Sequence, residues 1–346
     1  MSKIDRSKLP MTRRTALATL GAATSLLAAP AILRAQTKQI VMANGGGKLG
    51  EAYKTAVWDP WTKKTGIEVV ATANTAAQLK AMVEQGNTQW DLMQGPAETF
   101  IGYGRQGLFE PIDYAVIDKS QLVKDTTYEF FVKTDFAAYC TAWNTQSIKS
   151  NPPQNWAELF AISGRIGMWK RPFQTLEATL LADGVPIDQL YPLDLDRAFA
   201  ALDKIKSKLL LWDTGAQGAQ FLIDGEVDAG AIWNGRVQEP KESGAPVDFV
   251  FNQAVLISDG WAVPKGAKHK AEAMDLMAYA LSAEAQAAFT RKIPYGPVNP
   301  AALPLLDDTV KARLPKVGEN TVMLSVEYWA DNAAKVTERF NTWLQA

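Results

Sequence analysis

If this chain performed covalent or metal chemistry, it would do so almost without histidine or cysteine. Its 346 residues contain one His, His269, and one Cys, Cys140. A single Cys excludes an intramolecular disulfide and a Cys-based zinc site. A single His excludes a His-cluster metal centre, and His269, set between Lys268 and Lys270, reads as solvated. No HExxH or GxSxG motif is present. What remains is the chemistry of carboxylates, indoles and guanidinium groups, which suits holding a molecule better than transforming it. Trp233 closes an apolar run beside Asn234-Gly235, where a core Trp is rarer, and so reads as a wall for a ligand. Trp169 stands in a similar place, with sheet packing as the competing role. The run Gly45-Gly46-Gly47-Lys48 is a tight turn that lets a ligand approach the backbone. A phosphate loop is the weaker reading, because Leu49 replaces the Ser or Thr that would meet magnesium.

These groups need elements to position them, and the chain is well able to build them. With 47% hydrophobic and 21% charged residues it has the profile of a globular protein, and its length suits about two domains. A formal charge of −1 argues against a nucleic-acid binder, which needs a basic face. Residues 1–35 differ in kind: Lys3, Arg6, Lys8, Arg13 and Arg14 precede an uncharged run from Thr15 to Leu33, followed by Arg34-Ala35. This is an export-signal pattern, and the Arg13-Arg14 pair marks it as twin-arginine, with cleavage expected near Ala35. A membrane anchor is disfavoured by the Ala, Gly and Thr content and by Pro30. Removing the segment's six basic residues and Asp5 from a chain of charge −1 leaves −6, an acidic exported protein.

Along the rest of the chain short apolar strands alternate with helical stretches. Strands are expected at 39–44, 67–71, 90–94, 135–145, 165–169, 209–212 and 227–233, and helices at 49–65, 78–85, 173–182, 196–206, 217–224 and 270–290. Apolar runs over 249–263 are split by Ser258-Asp259-Gly260. Such alternation predicts α/β architecture, with doubly wound parallel sheets that bind ligands beyond the carboxyl ends of their strands. No linker separates the two halves, so the chain is expected to cross between them more than once.

Several phrases, in order, resemble the extracellular solute-binding proteins of ABC importers, and within them the spermidine/putrescine-binding family. They are WTKKTGIEVV (61–70), DLMQGPAETFIGYGRQGLFEPID (91–113), NWAELF (155–160), FLIDGEVDAGAIWNG (221–235), DGWAVPKGAK (259–268) and IPYGPVNPAA (293–302). The resemblance implies a type II periplasmic binding protein fold, two doubly wound α/β lobes joined by two crossing segments. Lobe 1 would be 38–140 plus 262–297, and lobe 2 would be 145–258 plus 298–346. It also implies a monomer that takes a small solute between the lobes and delivers it to an inner-membrane ABC permease, with no cofactor and no nucleic acid.

By the same resemblance, the family's Trp-Asn pair stands here as Trp233-Asn234, and the acidic residue before the second crossing as Asp259. Tyr295 reads first as packing between the lobes and second as a ligand contact. The chain departs from polyamine binders at three places. Ile257 replaces a Trp, Glu98 replaces an aromatic residue, and the turn that carries two carboxylates in that family reads Trp169-Lys170-Arg171-Pro172-Phe173-Gln174. Pro172 suits the first position of a helix, whose free N–H groups beside Arg171 would make an anion site. Glu98 and Asp259 would neutralise an ammonium. The expected contacts are therefore Gly46, Gly47, Glu98, Trp169, Arg171, Gln174, Trp233, Asn234, Asp259 and Tyr295. The expected ligand carries both charges, an amino-acid-derived or opine-like amine, with a plain polyamine as the other reading. An exported enzyme with a carboxylate pair is the alternative from a different class.

Overall fold

A computed structural model describes residues 38–318 and 320–346, and from Gln39 to Ala346 they form one unit. The export segment, Arg13-Arg14 and the cut near Ala35 lie outside the described residues.

Strand β1 (Gln39–Ala43) buries Ile40 and Met42 and ends at the glycine run. Gly46 and Gly47 have φ of 68° and 62°, a left-handed backbone that other residues resist, and they turn the chain straight into α1 (Gly47–Tyr53). A π-helical segment (Lys54–Trp58) leads on to α2 (Asp59–Thr65), which Gly66 closes in left-handed geometry. Next come β2 (Glu68–Thr72), α3 (Ala76–Glu84), β3 (Leu92–Pro96), α4 (Ala97–Arg105) and the short β4 (Val132–Lys133). The second half begins with β5 (Asp135–Asn144) and continues α5 (Trp156–Ala161), β6 (Ile166–Trp169), α6 (Thr175–Ala182), α7 (Leu195–Ile205) and β7 (Leu209–Trp212). Then follow α8 (Gly215–Ile223), β8 (Ala229–Trp233), α9 (Asn234–Glu242), β9 (Val247–Ile257) and β10 (Asp259–Ala262). The chain finishes through α10 (Lys270–Ala280), α11 (Ala283–Thr290), β11 (Gly296–Pro297), α12 (Asp308–Lys311), β12 (Val322–Met323) and α13 (Val326–Gln345).

Two sheets result. The first has the order β2-β1-β3-β10-β4, with β1, β2 and β3 parallel and β10 antiparallel to both its neighbours. The second runs β12-β9-β5-β8-β6-β7, with β8, β6 and β7 parallel and β5 antiparallel between β8 and β9. The chain passes from the first sheet to the second between Lys133 and Asp135. It returns at Ser258, and once more touches β5 through β11. β5 is buried along its whole length and holds Cys140, whose thiol faces the Ile232 carbonyl at 3.3 Å. Each sheet has its own aromatic core. Tyr53, Trp58, Trp61, Trp261 and Phe289 pack beside the first, and Tyr139, Trp156, Trp212 and Trp329 beside the second. Helix α13 belongs to both neighbourhoods: Trp329, Val336 and Phe340 enter the second core, while Val326 joins Phe100 and Phe131 beside the first sheet.

Four local expectations are corrected. The helix expected from Phe173 starts at Thr175, because Gln174 takes φ 60° and Pro172 and Phe173 instead form a tight turn with the Thr175 and Leu176 N–H groups. Pro172 is therefore not a first helical residue. The 270–290 helix breaks in two at Ser282, which caps the second piece by accepting from the Ala285 N–H. Asp259 and Gly260 do not form a turn but open β10, so Ser258 alone separates the two strands. His269 is not merely solvated: its backbone N–H donates to Asp91 and its ring Nδ1 lies 3.2 Å from the same carboxylate.

Candidate functional site

Strand order explains why three tryptophans meet. Trp169, Trp212 and Trp233 end β6, β7 and β8, which are parallel neighbours, so all three fall at one carboxyl edge. Trp169 stacks on Trp212 with centroids 6.0 Å apart, and Trp233 stands edge-on to both at 5.0 and 5.1 Å. The Trp233 Nε1–H donates to Gln174 Oε1 at 3.0 Å. That bond holds a buried Gln in a backbone conformation L residues avoid, and such strain gathers at binding sites. The Trp169 indole N–H is buried without a hydrogen-bond partner among the described residues.

Four buried carboxylates share this neighbourhood. Asp259 opens β10 and accepts from Gln94 Nε2 of β3 at 3.2 Å. Behind it, at the head of β5, Asp135 accepts from the Tyr53 hydroxyl at 2.8 Å and from Thr134 Oγ1 at 3.2 Å. Burial, then the charge of Asp259, raises the Asp135 carboxyl far above the usual range. Burial raises Asp259 as well, partly offset by the Gln94 bond. Glu98, in the first turn of α4, is lifted to about 7 by burial; its own backbone N–H opposes the rise, Asp259 adds to it and Lys133 opposes it. Glu177, in the first turn of α6, is also lifted to about 7 by burial. Its Oε1 accepts from Tyr191 and from Trp329 Nε1, both at 2.7 Å, while Oε2 is buried without a hydrogen-bond partner among the described residues. The buried cation near this group is Lys133, whose ammonium burial depresses to about 8. This buried group holds more carboxylates than cations.

A cavity of about 660 Å³ opens beside these residues. Gly46 and Gly47 line it from the first half, Gly235 and Arg236 from α9, and Gln94 and Tyr295 join it to the aspartates. The Tyr295 hydroxyl is raised mainly by burial, then by Asp135 and Asp259, with Arg236 pulling the other way. Tyr295 thus feels both the aspartate pair and the Arg236 cation. Gly235 permits this approach, since a Cβ there would stand 3.0 Å from the Tyr295 ring.

The expected residues therefore divide. Gly46, Gly47 and Tyr295 line the cavity; Trp169, Gln174 and Trp233 form the indole wall; Glu98 and Asp259 belong to the acidic group. Asn234 is committed to backbone, accepting from the Ala138 N–H at 3.0 Å and donating to the Pro294 carbonyl at 2.7 Å. Arg171 is exposed, makes no ion pair among the described residues and does not line this cavity.

Over residues 56–316 the chain matches the family described as bacterial extracellular solute-binding protein. It belongs to that family. This solute-binding protein is 33% identical to the gamma-aminobutyric acid-binding protein of Pseudomonas aeruginosa over 92% of its own length and 94% of the relative's. It is 25% identical to spermidine/putrescine-binding periplasmic protein 1 of Haemophilus influenzae over 83% of each. Among solved structures it superposes on a GABA receptor with a TM-score of 0.83 and 36% identity, covering 88% of this chain and 97% of the other. The type II periplasmic binding protein fold and the likeness to the polyamine binders both stand.

Sequence reasoning missed Gln94, Asp135, Glu177 and Arg236. Arg236 lies two residues past Asn234, immediately after a phrase already singled out, so a charge there was readable. Asp135 heads an apolar run, and Glu177 sits three residues past Gln174. Neither carries a local signal, because only the crossing of the chain and the burial of α6 bring them to the site. Gly45, Gly47 and Gly50 also have G-x-G-x-x-G spacing after a strand, but β2 ends at Thr72 without the acidic residue that would hold a ribose.

Proposed function

We propose that this solute-binding protein is the receptor for a short ω-amino acid of the γ-aminobutyrate type. It captures the ligand in the periplasm and passes it to an inner-membrane ABC permease. The observation that carries the reading is opposed charge around Tyr295: Arg236 lines the cavity with it, and Asp259 is reached from the cavity through Gln94. Asp259, oriented by Gln94, receives the ammonium, and Arg236, in the first turn of α9, receives the carboxylate. Trp169 and Trp233 cover the methylenes and face the cation. Arg236 thus takes the part that the sequence assigned to Arg171. Export by the Arg13-Arg14 signal, cleavage near Ala35 and action as a monomer that leaves its ligand chemically unchanged belong to the same proposal, with 38–140 plus 262–297 and 145–258 plus 298–346 as the closing lobes.

The surplus of carboxylates favours a second reading, a linear diamine, which would place its far ammonium between Glu98 and Glu177. Titration calorimetry with γ-aminobutyrate, putrescine and spermidine separates the two. The first reading requires γ-aminobutyrate to bind at least tenfold more tightly than putrescine, and the reverse order would establish the second. A melting scan gives the quick form of the test, since ligand at 100 times its Kd adds about 2.7 kcal/mol.

A further inference from the structure

Asp135 lies behind Asp259 on the other crossing segment, and nothing in the ligand reading uses it. It is 1% exposed, and its oxygens face the Tyr53 hydroxyl, Thr134 Oγ1 and, at 3.5 Å, the Asp259 backbone N–H. The Thr134 N–H in turn donates to the Asp259 carbonyl at 3.0 Å, so the two aspartates are locked together where the chain passes between the sheets. Two carboxylates so placed repel each other, and a shared proton relieves the repulsion. An arriving ammonium would relieve it equally well.

We propose that Asp135 and Asp259 hold one proton between them in the empty receptor, and that the ligand's ammonium displaces it to solvent. Asp135 is then a positioning residue: it does not touch the ligand, yet it sets the pH range over which the ligand binds. The proposal deepens the amine reading above and rests on it. The groups facing the pair are Tyr53 from α1, Gln94 from β3, Glu98 from α4, and Tyr295 with Arg236 beyond it. Of these, Glu98 is the rival proton donor, because it too is raised toward neutrality by burial. Protons and ligand compete for one place, so affinity strengthens as pH rises, by at most tenfold per pH unit for one proton released.

The test is calorimetry with γ-aminobutyrate at pH 7 in phosphate and in Tris, whose ionisation heats differ, followed by Kd measurement from pH 6 to 8. The wild type is expected to show a buffer-dependent heat corresponding to release of up to one proton. In Asp135→Asn the buffer dependence should vanish and the Kd profile flatten. In Tyr53→Phe, which removes a hydrogen bond that favours the ionised pair, the profile should shift to higher pH. Buffer-independent binding by the wild type overturns the proposal, as does undiminished release in Asp135→Asn with its loss in Glu98→Gln. If the wild type binds no γ-aminobutyrate in any buffer, the ligand reading itself fails and takes this inference with it.

Discussion

In the proposed reading Asp259 and Arg236 divide the recognition of a zwitterion between them, and each can be tested by removing its charge alone. Asp259→Asn keeps the shape and the neighbour Gln94 but loses the charge-assisted bond to the ammonium. Binding of γ-aminobutyrate should weaken by about 1.5–3 kcal/mol, read by calorimetry. Arg236→Ala should weaken γ-aminobutyrate by a similar amount and leave putrescine, which has no carboxylate, at its original affinity or better. Equal loss for both ligands would show that Arg236 supports the fold of α9 instead. Trp233 was legible as a residue of interest because a Trp at a strand end beside Asn234-Gly235 is unusual in a core, and Trp169, at a similar strand end, less so because sheet packing competes. What no linear reading could supply was Trp212, which completes their edge-to-face cluster only because β7 lies next to β6.

At the scale of elements, α13 and α6 are joined through Glu177. The Trp329 indole and the Tyr191 hydroxyl both donate to its Oε1, and the Ser325 N–H, at the cap of α13, donates to the same Tyr191 oxygen. Trp329→Phe leaves a buried carboxylate one donor poorer and should lower stability by about 1–3 kcal/mol in urea unfolding. The pH dependence follows in sign from the raised carboxyl. Unfolded, Glu177 ionises near 4.5, and folded, near 7, so the folded state holds the extra proton. Its contribution to stability is therefore full below about 4.5, falls as pH rises and levels off above about 7. Glu177→Gln should flatten that part of the stability curve. The alternation of strands and helices was readable because period and glycine punctuation act locally. The start of α6 was not, since Pro172 is as suitable for a turn as for a first helical position, and only the positive φ of Gln174 decides between them.

For the molecule as a whole, ion pairs span the two sheet-bearing halves. Lys48 of α1 pairs with Glu239 of α9, and Arg105 of α4 with Asp331 of α13. All four side chains are largely exposed, so each pair contributes only about 0–1 kcal/mol and weakens with salt. Glu239→Lys, which sets two cations face to face at the rim of the cavity, should speed ligand release by up to about fivefold at low salt. Stopped-flow dissociation checks this, and raising the ionic strength should erase the difference. That the chain passes between the halves more than once could be foreseen from the lack of a linker, but the meeting of its passages near Asp135, Asp259 and Tyr295 is a product of topology. Cys140 carries a practical consequence for anyone building on this scaffold. The chain's single thiol is sealed inside β5 and burial holds it protonated. A maleimide dye will therefore pass it by and attach only where an engineer installs a new cysteine. With one fluorophore on each side of the rim, the unmodified background would be silent, and closure around the solute would be read directly as light.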